Sequence, residues 1–213
     1  MPDHSPNTGP TPQEARGLPG DTDRPGFLRT AFLFEGGLLG VAYLLGWLTD
    51  IDPLANLRAD GAAVSHGMLG TLPLLLLFFW SYRQPHPELL KIKRFLLETL
   101  APQLSLCRWY DMLLLSAVAA LGEEALFRGV LQPWGENHWG WVGGMLVSNL
   151  LFGLVHFITP LYGLLALLIG VYLGLMLDIG GQRNLLTPVV VHGFYDFIAF
   201  WVIIQTYRAE SAQ

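Results

Sequence analysis

The sequence predicts an all-α fold, a polytopic membrane bundle of about six transmembrane helices with one amphipathic helix on the membrane surface. Three observations carry that expectation. Hydrophobic residues make up 52% of the chain and charged residues only 14%, against about 25% charged in an ordinary soluble domain. The apolar residues gather into runs of the length that crosses a bilayer, roughly 20 residues each. A chain of 213 residues accommodates about six such runs. The mean hydropathy of +0.43 points the same way.

Taken in order, residues 1–26 are rich in Pro, Gly, Asp and Thr. They bury too little apolar area to offset ordering entropy, so a disordered tail is expected. This stretch holds no apolar run, so no cleaved signal peptide is read there. The first span runs from Phe27 to Leu48 and is interrupted by Glu35; the second runs from His66 to Tyr82 and contains Pro73. A proline is tolerated in a membrane helix when neighbours satisfy the freed carbonyl. Residues 86–101 set Leu89, Leu90, Phe95, Leu96, Leu97 and Leu100 among Lys91, Lys93 and Arg94, the pattern of a helix lying in the interface. A third span starts near Tyr110 and includes LGEEALFRG. A fourth covers Trp141–Ile158, a fifth Tyr162–Ile179 and a sixth Pro188–Thr206. The expected organisation is a tail (1–26), two spans with the surface helix (27–104), a four-helix core (105–207) and a short C-terminal tail (208–213).

Basic residues set the orientation. Arg16, Arg24 and Arg29 lie at the approach to span one. Arg83, Lys91, Lys93, Arg94 and Arg108 lie between spans two and three, and Arg208 follows span six; the alternate loops hold Arg58 and Arg183. Both termini are therefore expected in the cytoplasm of a cell carrying this protein in its inner (plasma) membrane. Trp80, Trp109, Trp134, Trp139 and Trp141 fall near helix ends, where indoles favour the interface. The net charge of −5 names no partner, and basic and aromatic residues do not cluster as nucleic-acid binding requires. The single cysteine, Cys107, forms no intrachain disulfide and reads as packing.

Charges inside spans are costly, and each is a functional hypothesis in search of a partner. The densest group is Glu123, Glu124 and Arg128. On a helix Glu124 and Arg128 share a face, which suits an ion pair, while Glu123 is turned about 100° away. One carboxylate is held by arginine and the other is left to face something else. A second group places Asn149, Phe152 and His156 on one stripe. In a third, His192 and Asp196 are four residues apart, so that Asp196 orients or charges the imidazole. The alternative for each group alone is a structural knot between helices. Glu35 has no motif around it and is expected to pair with Arg29. HExxH, GxSxG and paired intramembrane aspartates are absent, which leaves no support for zincin, serine-elbow or aspartyl intramembrane chemistry.

Read together and in that order, Glu123-Glu124 with Arg128, Phe152 with His156, and His192 with Asp196 resemble the CPBP family, the CAAX-processing and bacteriocin-related (ABI-type) intramembrane endopeptidases. The family's pattern is EExxxR, FxxxH, then HxxxN or HxxxD, and the resemblance covers roughly residues 105–205. It implies a helical membrane fold around a polar cavity in which a peptide bond of a membrane-associated peptide or protein is hydrolysed. Carried over by position, Glu123 is the general base that activates water and His156 helps to hold that water. His192 and Asp196 face the oxyanion, and Glu124 and Arg128, with Phe152 and Asn149, support the site. A carboxylate withdrawn from water is the stronger base, which suits this division. The last position holds Asp where Asn also occurs, and an ionised Asp196 accepts but does not donate. It must be protonated or act through His192.

No cofactor is expected. The alternative is a zinc ion held by Glu123, His156, His192 and Asp196, since two imidazoles and carboxylates fill a four-coordinate shell. For Glu123 and His156 to meet, the third span must continue towards Trp134. The leading expectation is a glutamate-dependent intramembrane endopeptidase. The alternative is a non-proteolytic membrane scaffold or bacteriocin-immunity protein that binds a partner helix and keeps the polar cluster for packing. A proton-relay transporter is a weaker third reading, because no inverted repeat is evident.

Overall fold

The computed structural model describes residues 24–212. Residues 1–23, most of the expected tail, lie outside the described residues. Helix α1 spans Arg24–Thr49, three residues longer at its start than the apolar run suggests, so residues 24–26 are helical rather than tail. Helix α2 spans Gly61–Arg83; it begins before His66 because Asp60 caps it, its carboxylate accepting from the Ala62 amide. The surface segment is α3 (Pro87–Phe95), a π-helical turn at Leu96–Leu100 and the short α4 (Ala101–Leu104). Then come α5 (Trp109–Glu124), a π-helical segment (Ala125–Leu131), α6 (Gln132–Val155), α7 (Pro160–Met176) and α8 (Leu186–Ser211). Among the described residues there is no strand.

Helices α1, α2 and α8 are each long and apolar enough to cross a membrane, and the bent pair Pro87–Leu104 with Trp109–Val155 is a fourth candidate. Helix α7 is apolar but has 17 residues, about 25 Å of rise. Length and composition thus mark three or four crossings outright, while the six expected runs all appear as helical legs. Their outer faces are apolar: Phe34, Trp47 and Leu76 are each more than two-thirds exposed. That is a surface suited to lipid and not to water. Trp80, Trp109, Trp139 and Trp141 are exposed near helix ends, whereas Trp134 is half-buried against Trp139 and His138.

One hairpin positions the chemistry. The chain runs as continuous helix from Trp109 through the π segment to Trp139, and reverses at Gly140, whose φ of 73° and ψ of 177° break the helical run. Glycine enters that left-handed region at little cost. The two legs pack antiparallel because small residues face each other: a Cβ at Gly135 would stand 2.8 Å from the Gly144 Cα. Ser148 Oγ donates to the Phe127 carbonyl at 2.8 Å, which fixes the register. Glu123, one turn before Phe127, faces His156, about two turns after Ser148, at 3.6 Å.

Helix α8 packs on α5 and α2, α1 lies on α5 and the π segment, and α7 lies on α6. Close contact of α2 with α8 is made at Gly67, where a Cβ would meet the Val190 side chain at 2.6 Å. The core around the π segment is Ala42, Ala125, Leu126, Phe127, Val130, Phe152 and Ala166. At the far end of the bundle Arg183 bonds both Asp178 and Glu136, tying the α7–α8 loop to α6. The two carboxylates hold the Arg183 guanidinium above its ordinary pKa. Cys107 is buried in the turn before α5, packed with Leu104, Met112 and Ile204.

Candidate functional site

The site is built on a buried guanidinium. Arg128, on the π segment, is 1% exposed. A charge so placed must be paired, and both terminal nitrogens of its guanidinium are. Its Nη1 donates to Glu124 Oε1 at 3.0 Å, and its Nη2 donates to Asn149 Oδ1 at 3.1 Å and to the Gly170 carbonyl at 2.7 Å. Asn149 in turn donates to the Met145 carbonyl at 2.7 Å. The guanidinium lies over the Phe152 ring at 4.6 Å, and the His156 imidazole stacks on the same ring at 4.4 Å. Three helical elements are thus pinned by one side chain. The ion pair expected from the spacing of four is present, and Asn149 and Phe152 stand beside it as the stripe implied.

Glu124 does more than the sequence suggested. Its Oε1 also receives His192 Nδ1 at 2.8 Å, so the carboxylate that neutralises Arg128 also orients the imidazole on α8. For that bond to form, Nδ1 carries the proton. His192 Nε2 then points at Asp196 Oδ2, 3.4 Å away, and at Glu123 Oε2, 4.0 Å away. Orientation by Asp196 alone is therefore too simple: Glu124 holds one side of the ring and Asp196 stands on the other.

His156 is held by its own helix, Nδ1 lying 2.9 Å from the Phe152 carbonyl. Nδ1 must donate there, so the neutral ring presents an acceptor at Nε2, which faces Glu123 Oε2 at 3.6 Å. Glu123 Oε2 is buried without a hydrogen-bond partner. Two acceptors facing each other at this separation, beyond a direct hydrogen bond, suit a bridging donor such as water.

All four residues expected to meet do meet, and the continuation of helix through Trp134 is what allows it. Burial is graded: Glu124 and Arg128 side chains are 0% exposed, His192 9%, Glu123 13%, Asp196 21% and His156 28%. The Glu124–Arg128 pair forms the floor, and Asp196 and His156, the most exposed of the group, face the opening. Beside them is a cavity of about 190 Å³ bordered by His156, His192 and Asp196. Its walls are mainly apolar, from Phe78 on α2, Ile92 on α3, Ile169 on α7 and Ile203 on α8. Glu123 lies behind the two imidazoles and does not line it. Among the described residues no three His, Cys, Asp or Glu side chains are grouped as a metal ion requires.

Several contributors were invisible to motif reading. Tyr162 and Tyr195 line the cavity beside the histidines. Gly170 must lack a side chain, because a Cβ there would stand 2.6 Å from Asn149 Oδ1; the small-residue run of α7 was its only signal. Glu35 does not pair with Arg29 among the described residues, and its Oε2 is buried and unpartnered. The expected pairing placed Glu35 near the interface with Arg29, but Glu35 is partly buried while Arg29 is exposed.

Fold and site together define a multi-pass membrane protein whose helices enclose a cluster of carboxylates and imidazoles anchored on one guanidinium. Residues 105–198 match the family model of the type II CAAX prenyl endopeptidase Rce1-like proteins. The resemblance to the CPBP family is thus shown over that stretch, which contains every motif residue named above. It supports a CAAX-protease-like intramembrane endopeptidase, with a peptide or protein substrate in a membrane setting. No curated protein and no solved structure matches the chain.

Proposed function

We propose that this protein hydrolyses a peptide bond of a membrane-associated peptide through a water activated by Glu123. The observation that carries the reading is the convergence of Glu123 Oε2 on the Nε2 atoms of His156 and His192 at 3.6 and 4.0 Å. A water between Glu123 and His156 gives one proton to the carboxylate while its oxygen attacks the substrate carbonyl. The proton then passes to the leaving nitrogen as the C–N bond breaks, and Glu123 is regenerated. The new oxyanion needs a donor. An imidazolium at His192 meets that need, since Glu124 at 2.8 Å and Asp196 at 3.4 Å balance its charge. Asp196 then acts through His192 and need not donate itself. One oxyanion donor is commonly worth about 3–4 kcal/mol of barrier.

No metal enters this scheme; a zinc ion on the same side chains is the competing arrangement. The apolar walls of the cavity suit a substrate that presents an apolar segment beside the scissile bond. The excess of Lys and Arg on one side supports an inner-membrane protein with both termini in the cytoplasm.

The experiment is Glu123→Gln in detergent-purified protein, assayed against membrane-anchored peptides. Loss of cleavage by roughly 10²- to 10⁴-fold with an unchanged melting profile is expected, the range for a general base. Wild-type protein that cleaves nothing, together with a cellular phenotype indifferent to Glu123→Gln, would instead mark a scaffold.

A further inference from the structure

The cavity beside the candidate site has a far end, built by elements that lie outside the stretch matching the family. Along α8 the cavity follows one stripe, Asp196, Ala199, Phe200 and Ile203. Thr206 continues that stripe and accepts a hydrogen bond from the Tyr82 hydroxyl at 2.9 Å. Tyr82, at the end of α2, also lines the cavity, and Lys93 Nζ lies over its ring, 4.8 Å from the centroid. Asp196 and Thr206 stand on the same helix, and the positions between them correspond to about 15 Å of rise. A row of ring contacts bridges that length: Tyr82 meets Phe78 at 5.2 Å, and Phe78 meets Tyr195, the residue before Asp196, at 6.0 Å.

The two ends of this trough differ in charge. Asp196 stands at one end with His156 and His192, and Lys93 stands at the other. Among the described lining residues Lys93 is the only Lys or Arg and Asp196 the only Asp or Glu; the walls between them are mainly apolar. Lys93 has no anion of its own. On the same helix Lys91 pairs with Glu88 at 2.6 Å, whereas Lys93 forms no ion pair among the described residues and rests on the Tyr82 face. Glu98 and Glu210 border the open groove on the outer side of Lys93 together with Arg94, and neither is paired with it. A ring face compensates an ammonium only in part, and its N–H donors remain for an incoming acceptor. Lys91 and Arg94 are exposed and Lys93 is half-buried, so the first two are the cations of this helix available to lipid headgroups. The π-helical turn that follows supplies Leu96 and Leu100 to the wall, and such turns frequently occur at functional sites.

We propose that Lys93 is a specificity-determining residue that receives a carboxylate of the substrate peptide, about four residues from the bond at His192 and Asp196, as an extended chain at roughly 3.5 Å per residue requires. The proposal rests on the hydrolytic reading for its kinetic readout. The ammonium is remote from the reacting bond and acts on binding, so its effect falls on KM and not on kcat. An acidic side chain and a chain end both supply the carboxylate, and the test separates them.

The probes are acylated Leu/Ala peptides with amidated ends, each carrying one Glu at a different position, and the matching Gln series. A further arm replaces the Glu by a free carboxyl end at the same distance. Rates are measured in phosphatidylcholine vesicles with and without phosphatidylglycerol, and cleavage positions are mapped by mass spectrometry. Wild type should cleave the peptide with Glu about four residues from the broken bond with about tenfold higher kcat/KM than its Gln partner, through a lower KM. Lys93→Met, with an unchanged melting profile, should abolish that preference and cleave the Gln series as wild type does. Lys93→Glu should turn the preference towards a peptide with Lys at that position. A response to the side chain, to the free end or to both supports the proposal and identifies the source. A preference untouched by Lys93→Met overturns it. Glu and Gln peptides slowed alike also overturn it, and if that loss appears only with phosphatidylglycerol, Lys93 is a headgroup contact. Wild type that cleaves no peptide defeats the hydrolytic reading, and fluorescence binding of the same pairs then decides. Tighter binding of Glu peptides by wild type but not by Lys93→Met upholds the carboxylate site, and equal binding of both series overturns it.

Discussion

Adjacent glutamates with opposite fates are the centre of the site. Glu124 is wholly buried and its Oε1 is bonded to both Arg128 and His192, while Glu123, turned about 100° on the same helix, faces His156 and His192 only at 3.6 and 4.0 Å. Removing one member of a buried pair leaves an uncompensated charge, typically at a cost of about 3–5 kcal/mol. Glu124→Leu and Arg128→Met alone should therefore each lower the melting temperature strongly. The double variant should recover most of that loss and still be inactive, because His192 Nδ1 has lost its acceptor. Recovery of activity in the double variant would contradict the orienting role of Glu124. These residues were legible in the sequence because spacing of four on a helix encodes contact. Glu124's bond to His192 was not, since it spans 68 positions and depends on how α5 meets α8. The fate of Glu35 was hidden for a similar reason. No motif surrounds it, and its partial burial follows from how α1 packs on Gly122.

The elements bring these side chains to one depth by an antiparallel hairpin with its turn at Gly140. Continuity of the helix past Glu124 was expected from the need for Glu123 and His156 to meet. Its π-helical segment at Ala125–Leu131 was not, because single-turn departures from α-helical winding leave no pattern in apolar spacing. Such segments frequently mark functional sites, and this one carries Arg128. Small residues set the distances between helices. Gly170→Ala places a methyl group against Asn149 Oδ1 and, at 3.2 Å, against Arg128 Nη2. Overpacking of this kind costs about 1–3 kcal/mol, so a lower melting temperature is expected with reduced activity. Alanine at Gly40, where nothing lies within 4 Å, serves as the control and should change neither. Equal melting temperatures for both variants would show that the α6–α7 contact is looser than described.

At the scale of the molecule, the apolar outer faces, the tryptophans at helix ends and the match over residues 105–198 agree on a multi-pass membrane protein. The fold class was readable because burial in lipid demands long apolar helices, which composition records directly. The number of crossings was less so: α7 is short, and the Pro87–Val155 stretch bends by 117°. Topology is testable in a Cys107→Ser background with single cysteines at Lys91 and Gln182. Membrane-impermeant maleimide applied from outside should label the Gln182 site and spare Lys91 in intact cells; the reverse pattern would invert the assigned orientation. The most direct measurement of the central claim is the initial rate of peptide cleavage by wild type and Glu123→Gln after stripping divalent metals with a strong chelator. A Glu123-activated water predicts that wild type keeps its rate and the variant does not cleave. Activity lost on chelation and restored by zinc would contradict that account and make Glu123, His156, His192 and Asp196 a metal shell.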